Sequence, residues 1–481
     1  MSEIIGDYTG TSFDDFLVLP GLPKGNPEDV NLHTDMCGIP LNAPFFTAAM
    51  RSVTGKELAL AAGKAGIMAV APRGLDVKRQ VEIVDFVKSR EVKCGDIESE
   101  TKSITIDSDN TLGDALRITR EHGHSHVPVL SDRSDFRGMF NYKPSVHDTM
   151  DPRTPITTIM NQFEDMEGNR LIEVCYEAAS DSEIKDVLEK GGYRFVPVLD
   201  EIGRLSRLVF LQREEAYKVG GAIDTHEGWL KRSHELVDAG VNMVFIDTSD
   251  AHTPFTREVV EKFKQEFDIP ICAGNVVTPE AFEYLVDAGA DVIKIGMGPG
   301  SICSTNQVLG IGSPPMHALI DIAKKRDEYA TNGRYIPIII DGGIRDTGNI
   351  SVALTHADGL MGGKLFGGFE ESAGRKIHVD GGKIEVEIFG EASRQSYETT
   401  GNMNRYTTDA DSTATFQGVT GTIPYVGRFK PGVERLKRTL KEALYHAGCD
   451  SLKSYRDNAR IVRLTQSAKG VAVPHDINVS D

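Results

Sequence analysis

The 481-residue chain has no run of apolar residues approaching the ~18 that cross a bilayer, so no membrane-spanning helix is expected. Its start, MSEIIGDYTGTSFDDF, lacks a basic stretch followed by an apolar one. No secretory leader is expected, and the cytoplasm is the expected compartment. The chain is short of positive charge, with 53 Lys and Arg against 71 Asp and Glu and a net charge of −18. Such a surface repels a nucleic-acid backbone, and nucleic acid is excluded as a partner on that ground. A small anionic ligand is not excluded, because a few backbone N–H groups can hold one phosphate. The six cysteines, Cys37, Cys94, Cys175, Cys272, Cys303 and Cys449, are scattered and form no CxxC pair. That pattern argues against zinc and a disulfide framework, and for free thiols in a reducing compartment.

What the chain does have is a set of short apolar runs: PFFTAAM (44–50), IMAVAP (67–72), VGGAI (219–223), MVFIDTS (243–249), PICAGNV (270–276), VIKIGM (292–297), IPIIIDGG (336–343) and GLMGGKL (359–365). Most are continuously hydrophobic, as strands of a parallel sheet buried on both faces are. Helical patterns lie between several of them. ELVDAG (235–240) and YLVDAGADV (284–292) each end a helix at glycine. Eight strands alternating with helices predict an α/β fold of the (β/α)₈ TIM-barrel type, with an open doubly wound sheet as the competing arrangement.

The rhythm breaks over 92–215. LGDALRITREHGHSHVPVLSD (112–132) and SEIKDVLEKGGYRFVPVLDE (182–201) share one plan of helix, glycine turn and strand, and their strands start 69 residues apart. Such repeats pack together as one unit. The reading is a small domain inserted in a barrel formed by 1–91 and 216–481. A second irregular stretch, 380–430, contains the polar segment GNMNRYTTDADSTATFQG. A loop of that length is either functional or without fixed structure.

The most specific motif is GMGPGSICST (296–305), directly after an apolar run. Its glycines allow a tight turn and close approach to a ligand. Ser301 and neighbouring N–H groups can hold a phosphate. Cys303 falls at the C-terminal mouth of a barrel strand, where such barrels place their chemistry, and the thiolate is the nucleophilic form. Glycine pairs follow the last two runs, as Asp341-Gly342-Gly343 and Gly362-Gly363, where barrels often bind phosphate. Asp341 suits ribose hydroxyls. Asp247, Thr248 and Ser249 end the fourth run, and Asn275 and Lys294 belong to the next two. Lys294 can pair inside the barrel, contact a ligand, or both.

These segments resemble the IMP dehydrogenase and GMP reductase family. Gly298-Pro299-Gly300-Ser301-Ile302-Cys303-Ser304-Thr305 matches its signature, and AGNVVT (273–278), IIIDGGI, LFGGFEES (365–372) and the early FDDFLVLPG (13–21) also stand in the family order. The inserted repeat resembles a pair of CBS modules, a Bateman domain. The resemblance implies oxidation of IMP to XMP with NAD through a thioimidate on Cys303. It places Ser301, Gly343 and Gly363 near the phosphate, with Gly342 and Gly362 beside them, and Asp341 on the ribose. Gly390, Glu391 and Ser393 belong to the segment that contacts the purine. Asp247, Asn275, Thr248 and Ser249 fall near the nicotinamide riboside, and Phe255 near the adenine. Thr305, Gln417 and a flap pair, Arg405-Tyr406, would serve hydrolysis, with 380–430 as the flap region. The resemblance further implies a homotetramer or octamer, and adenine or guanine nucleotides at the CBS pair.

The chain departs from the family pattern at several points. Met50-Arg51-Ser52 stands where Met-Asp-Thr is usual, Ala48 where a phosphate-contacting Ser is common, and Gly390-Glu391-Ala392-Ser393 where many members have Gly-Met-Gly-Ser. The C-terminal Glu-Gly-Gly that helps hold potassium is replaced by GVAVPHD (470–476). That leaves open a monovalent cation on the carbonyls of Gly298, Gly300 and Cys303. The alternatives are a GMP reductase, against which Arg405-Tyr406 speaks, and an inactive CBS-linked nucleotide sensor, against which intact Cys303 and Thr305 speak.

Overall fold

The computed structural model describes residues 3–5, 7–90, 97–100, 104–122, 126–147, 149–165, 169–191, 193, 195–211, 217–400 and 416–471. The chain divides into two compact units, Met1–Arg90 with Tyr217–Asp481, and Glu91–Ala216.

The first unit is a closed barrel of eight parallel strands. We label them β1 (Phe45–Thr47), β2 (Met68–Ala71), β3 (Val219–Ile223), β4 (Met243–Ile246), β5 (Ile271–Val276), β6 (Val292–Ile295), β7 (Ile338–Asp341) and β8 (Gly359–Gly362). Each falls inside one of the eight apolar runs. β8 pairs with β1, which closes the sheet and excludes the doubly wound alternative. Helices alternate with them: α1 (Lys56–Lys64), α2 (Val77–Lys88), α3 (Trp229–Asp238), α4 (Pro254–Glu266), α5 (Pro279–Asp287), α6 (Pro315–Thr331), α7 (Thr347–Ala353) and α8 (Phe429–His446). α8 packs against α1 and α7 and so completes the ring. α3 and α5 end as the sequence predicts, one alanine before Gly240 (φ 93°) and Gly289 (φ 106°). Those left-handed residues suit glycine alone without penalty.

Phe46, Met68, Val70, Ala222, Met243, Phe245, Cys272, Val292, Ile339 and Met361 fill the barrel interior. The short hairpin Thr34–Asp35 with Pro40–Leu41 brings Met36, Ile39 and Leu41 into the same cluster. The barrel is therefore a packed core whose chemistry must sit at one end.

The stretch 380–430 is less irregular than the sequence reading has it. Ile384–Phe389 pairs antiparallel with both Lys376–His378 and Thr420–Pro424, and Arg394–Thr400 is helical. The alternation in IEVEIF, with Val386 and Ile388 buried, is the period-two signal that marks the strand.

The second unit contains two four-stranded sheets. In each, a helix (Leu112–His122 or Asp181–Gly191) precedes the repeat strand (His126–Leu130 or Phe195–Leu199). Each repeat strand then pairs antiparallel with its successor, Phe136–Asn141 or Leu205–Leu211. Phe136 and Met139 of the first repeat share one hydrophobic cluster with Leu199 and Leu208 of the second.

Candidate active site

Side chains on a strand alternate between faces, so a residue two places beyond an interior residue is also interior. Phe245, Val292 and Ile339 belong to the apolar core, and Asp247, Lys294 and Asp341 stand two places further on. A charged layer therefore caps the apolar ones at the C-terminal end of the barrel. Lys294 is 1% exposed. Its Nζ lies 2.9 Å from Asp341 Oδ2 and 3.4 Å from Asp247 Oδ1, and donates to Asn275 Oδ1. Asn275 Nδ2 in turn donates to Asp341 Oδ2 at 3.0 Å and to the Gly296 carbonyl at 2.6 Å. Burial pulls the lysine pKa down, but Asp341 and Asp247 outweigh it and hold the ammonium above its ordinary value. Arg73, just past β2, extends the network by binding Asp224 Oδ2 at 3.1 Å and the Asp247 carbonyl at 3.2 Å.

Above this floor runs the loop after β6. Cys303 is exposed, and its Sγ lies 3.2 Å from Thr305 Oγ1. Thr305 is buried at the first position of a short helix, Thr305–Leu309. The loop is pinned from below and from the side. Asn306 donates its side-chain amide to the carbonyls of Met297 and Ile311. Ser304 N–H donates to the Gln417 carbonyl at 2.9 Å, and Val419 N–H to the Ile302 carbonyl at 2.9 Å. Gly342 has φ 86°, and a Cβ there would sit 3.2 Å from Gly300 N, so glycine is what lets the β7 loop close on the Cys303 loop.

The third wall is the segment 390–393. Gly390 N–H donates to the Val419 carbonyl, and a Cβ on Gly390 would meet the Ile302 carbonyl at 3.2 Å. Glu391 forms an ion pair with Arg51 at 3.1 Å, and their side chains are 6% and 7% exposed.

These walls enclose an open cleft with about 810 Å³ of empty space, counting its mouth. Asp247, Thr248, Ser249, Asn275, Gly298, Gly300, Cys303, Thr305, Asp341, Gly342, Gly390, Glu391 and Gln417 line it together. Gln417 Oε1 is buried and meets no hydrogen-bond partner among the described residues.

The family model described as "IMP dehydrogenase / GMP reductase domain" matches residues 10–475. The chain belongs to the IMP dehydrogenase / GMP reductase family. Among its relatives are inosine-5′-monophosphate dehydrogenases of Aquifex aeolicus (30% identical, covering 98% of this chain and 96% of that one) and Methanocaldococcus jannaschii (30%, covering 100% and 98%). Another, from Chlorobaculum parvum, is 31% identical and covers 98% of this chain and 97% of its own. A solved GMP reductase from Trypanosoma brucei, in complex with guanosine 5′-monophosphate, superposes with a TM-score of 0.69 at 24% identity over 98% of both chains. At that identity the likeness speaks for the fold.

Several of the expected ligand residues are not part of the cleft lining. Lys294 lies beneath the cleft floor, because both carboxylates and Asn275 draw its ammonium into the barrel. Ser301 is exposed and, like Gly343, Gly362, Gly363 and Ser393, is outside the cleft lining. Ser393 is drawn away from it, its N–H donating to the Gly390 carbonyl and its Oγ accepting from Ser396 N–H. Gly363 heads the short helix Lys364–Gly367, beside Met50 and Ala48. Phe255 is 68% exposed at the start of α4, also outside the lining. Arg405, Tyr406 and most of GVAVPHD lie outside the described residues. Of the carbonyls named for a monovalent cation, that of Gly300 accepts the Cys303 N–H at 3.0 Å.

Sequence reading missed Arg73 and the Arg51–Glu391 contact. Arg73 was signalled by its place, a charge directly after an apolar barrel strand. Arg51 and Glu391 each stood out singly, but nothing in the sequence joined positions 340 apart.

Proposed function

We propose that the chain oxidises IMP at C2 of its hypoxanthine ring to give XMP, with Cys303 as covalent nucleophile and NAD as the oxidant. One observation carries this reading: Cys303, the one exposed cysteine among the described residues, lines an open cleft at the C-terminal end of the barrel with Thr305 Oγ1 3.2 Å from its sulfur.

The Cys303 thiolate adds to C2, and the C2 hydrogen departs as hydride, leaving a thioimidate on the sulfur. NAD, when bound, supplies the acceptor for that hydride. Water then adds at C2, the C–S bond breaks, and XMP leaves with a proton released to solvent. Asp341 accepts from the ribose hydroxyls and is held for that task by Lys294 and Asn275. The backbone of Gly342, Gly343 and Gly363, with Ser301, receives the phosphate. Gln417 Oε1, buried without a partner among the described residues, accepts from the attacking water or from the base. Thr305 steadies the sulfur between its thiolate and bonded states.

The residues present fit a dinucleotide. Asp247 and Ser249 line the cleft, the Thr248 hydroxyl is tied to the Gly274 carbonyl at 2.9 Å, and Phe255 offers an open aromatic face. Arg405 and Tyr406 would complete the hydrolytic site. The same reading makes 91–216 a CBS pair for adenine or guanine nucleotides, and the assembly a tetramer or octamer.

The test is a paired assay of the purified protein, with IMP and NAD in one arm and GMP and NADPH in the other. NADH formation only in the first supports the reading. NADPH consumption only in the second makes the enzyme a GMP reductase. Silence in both, with nucleotide still bound, makes the chain a sensor.

A further inference from the structure

Arg51 and Glu391 meet in the wall of the cleft. Arg51 follows β1, and Glu391 follows the strand Ile384–Phe389. The contact is doubled, since the Arg51 backbone N–H donates to Glu391 Oε1 at 2.7 Å and its Nε donates to Oε2 at 3.1 Å. Arg51 Nη2 reaches on to the Ser396 carbonyl at 3.2 Å and to Ser396 Oγ. That hydroxyl donates to the Glu391 carbonyl at 2.7 Å, which closes a ring of bonds. Next door, Ser52 Oγ donates to the Phe389 carbonyl at 3.0 Å and accepts the Phe389 N–H at 3.2 Å. Gly74 leaves the room, because a Cβ there would press on Arg51 and the Glu391 carboxylate. The Arg51 and Ser52 bonds all join the β1 loop to the segment 389–396.

An ion pair so little exposed contributes less to net stability than to fixing one geometry, because its attraction is offset by lost hydration. What it fixes lies beside the nucleophile. A Cβ on Gly390 would lie 3.4 Å from Gly418 Cα and 3.2 Å from the Ile302 carbonyl, and one on Gly418 would lie 3.4 Å from that same carbonyl, so both glycines pack closely against the Cys303 loop. Cys303 is bridged to Gly418. Displacing Glu391 would therefore displace the wall that faces Cys303.

We propose that Arg51 and Glu391 form a latch that sets the base of the bound nucleotide at the right depth for Cys303, so that they are positioning residues and determinants of base specificity. The proposal rests on the reading that a purine nucleotide occupies this cleft. Glu391 cannot itself donate to the base as a carboxylate, and its two oxygens are already engaged. Its role is to hold Gly390 and Ala392, which share the cleft lining with it.

The experiment compares Arg51→Glu, Glu391→Arg, the exchanged double variant and the conservative Glu391→Gln in the full-length protein. Hydrogen exchange of 389–396 and 417–419, without ligand, reads the latch. KM and kcat for IMP, and the preference for IMP over GMP in binding, read the positioning. Each reversal should speed exchange in both segments and raise the IMP KM about tenfold with kcat changed less, as loss of a ground-state positioning contact does. Glu391→Gln keeps one acceptor and should fall between. The exchanged pair should recover most of the loss. Unchanged exchange in both reversals, or a double variant no better than either single one, would overturn the latch. Faster exchange with unchanged KM and base preference would overturn the positioning role. If the wild type neither binds nor turns over IMP, the functional reading has failed, and the exchange data then judge the latch alone.

Discussion

Lys294 Nζ lies 2.9 Å from Asp341 Oδ2 at the centre of the barrel, with Asp247 Oδ1 at 3.4 Å on its other side. One buried cation thus fixes two carboxylates that face the cleft from β4 and β7. Removing one partner of such a pair leaves unpaired charge and costs about 3–5 kcal/mol. Lys294→Met should therefore lower the urea midpoint by a corresponding amount and weaken IMP binding. The check is urea unfolding beside calorimetric titration with IMP. A variant as stable and as tight as wild type would separate Lys294 from the site.

Gln417 carries a buried carbonyl oxygen that the described residues leave unsatisfied. If water or the base satisfies it, Gln417→Met should slow turnover by ~10–10² through a lost transition-state hydrogen bond. Stopped-flow kinetics would locate the defect. A normal first burst of NADH with a slow steady state assigns Gln417 to hydrolysis, whereas a slowed burst assigns it to the base.

All residues lining the cleft belong to Met1–Arg90 and Tyr217–Asp481. Replacing 91–216 by a short linker should leave kcat within about threefold, because it removes none of the residues that line the cleft. Adenine and guanine nucleotides should raise the melting temperature of the whole chain and lose that part of the effect in the deletion. A folded deletion without activity would place part of the catalytic machinery in the second unit.

His356 is fully buried near Arg326, and its Nε2 has no partner among the described residues. Burial, with the Arg326 charge, pushes its pKa from 6.5 down to about 3. Above 6.5 neither folded nor unfolded chain is protonated there. Below 6.5 the unfolded chain takes up the proton and the folded one does not, so stability falls by ~1.36 kcal/mol per pH unit until about pH 3. In His356→Gln that part of the acid slope should vanish, while Thr355 keeps a hydrogen-bonding neighbour. Urea unfolding at pH 7, 6 and 5 measures it. Parallel slopes in variant and wild type would contradict the assignment.

The barrel was legible because its eight strands are apolar on both faces and short, and because glycine ends the helices between them. The charged layer was legible too, as polar residues two places beyond apolar ones in β4, β6 and β7. Lys294 was harder. Strand period shows that it points inward, but whether its ammonium reaches up to ligand or across to Asp341 depends on distances between strands. The Arg51–Glu391 pair needed the fold itself, since each partner looked only like a local exception. The strand Ile384–Phe389 was hidden by the polar stretch that follows it, although its alternation is plain once that stretch is set aside.

The central claim is that Cys303 carries the substrate covalently. Wild type incubated with IMP and NAD, quenched in acid and digested, should yield a purine-nucleotide adduct on the peptide containing Cys303, as read by mass spectrometry. Cys303→Ala should form no adduct and no NADH, while still binding IMP within a few-fold of wild type, since the thiol acts in chemistry rather than in holding the ribose and phosphate. Turnover of IMP by Cys303→Ala, or an adduct on any other residue, would contradict the account.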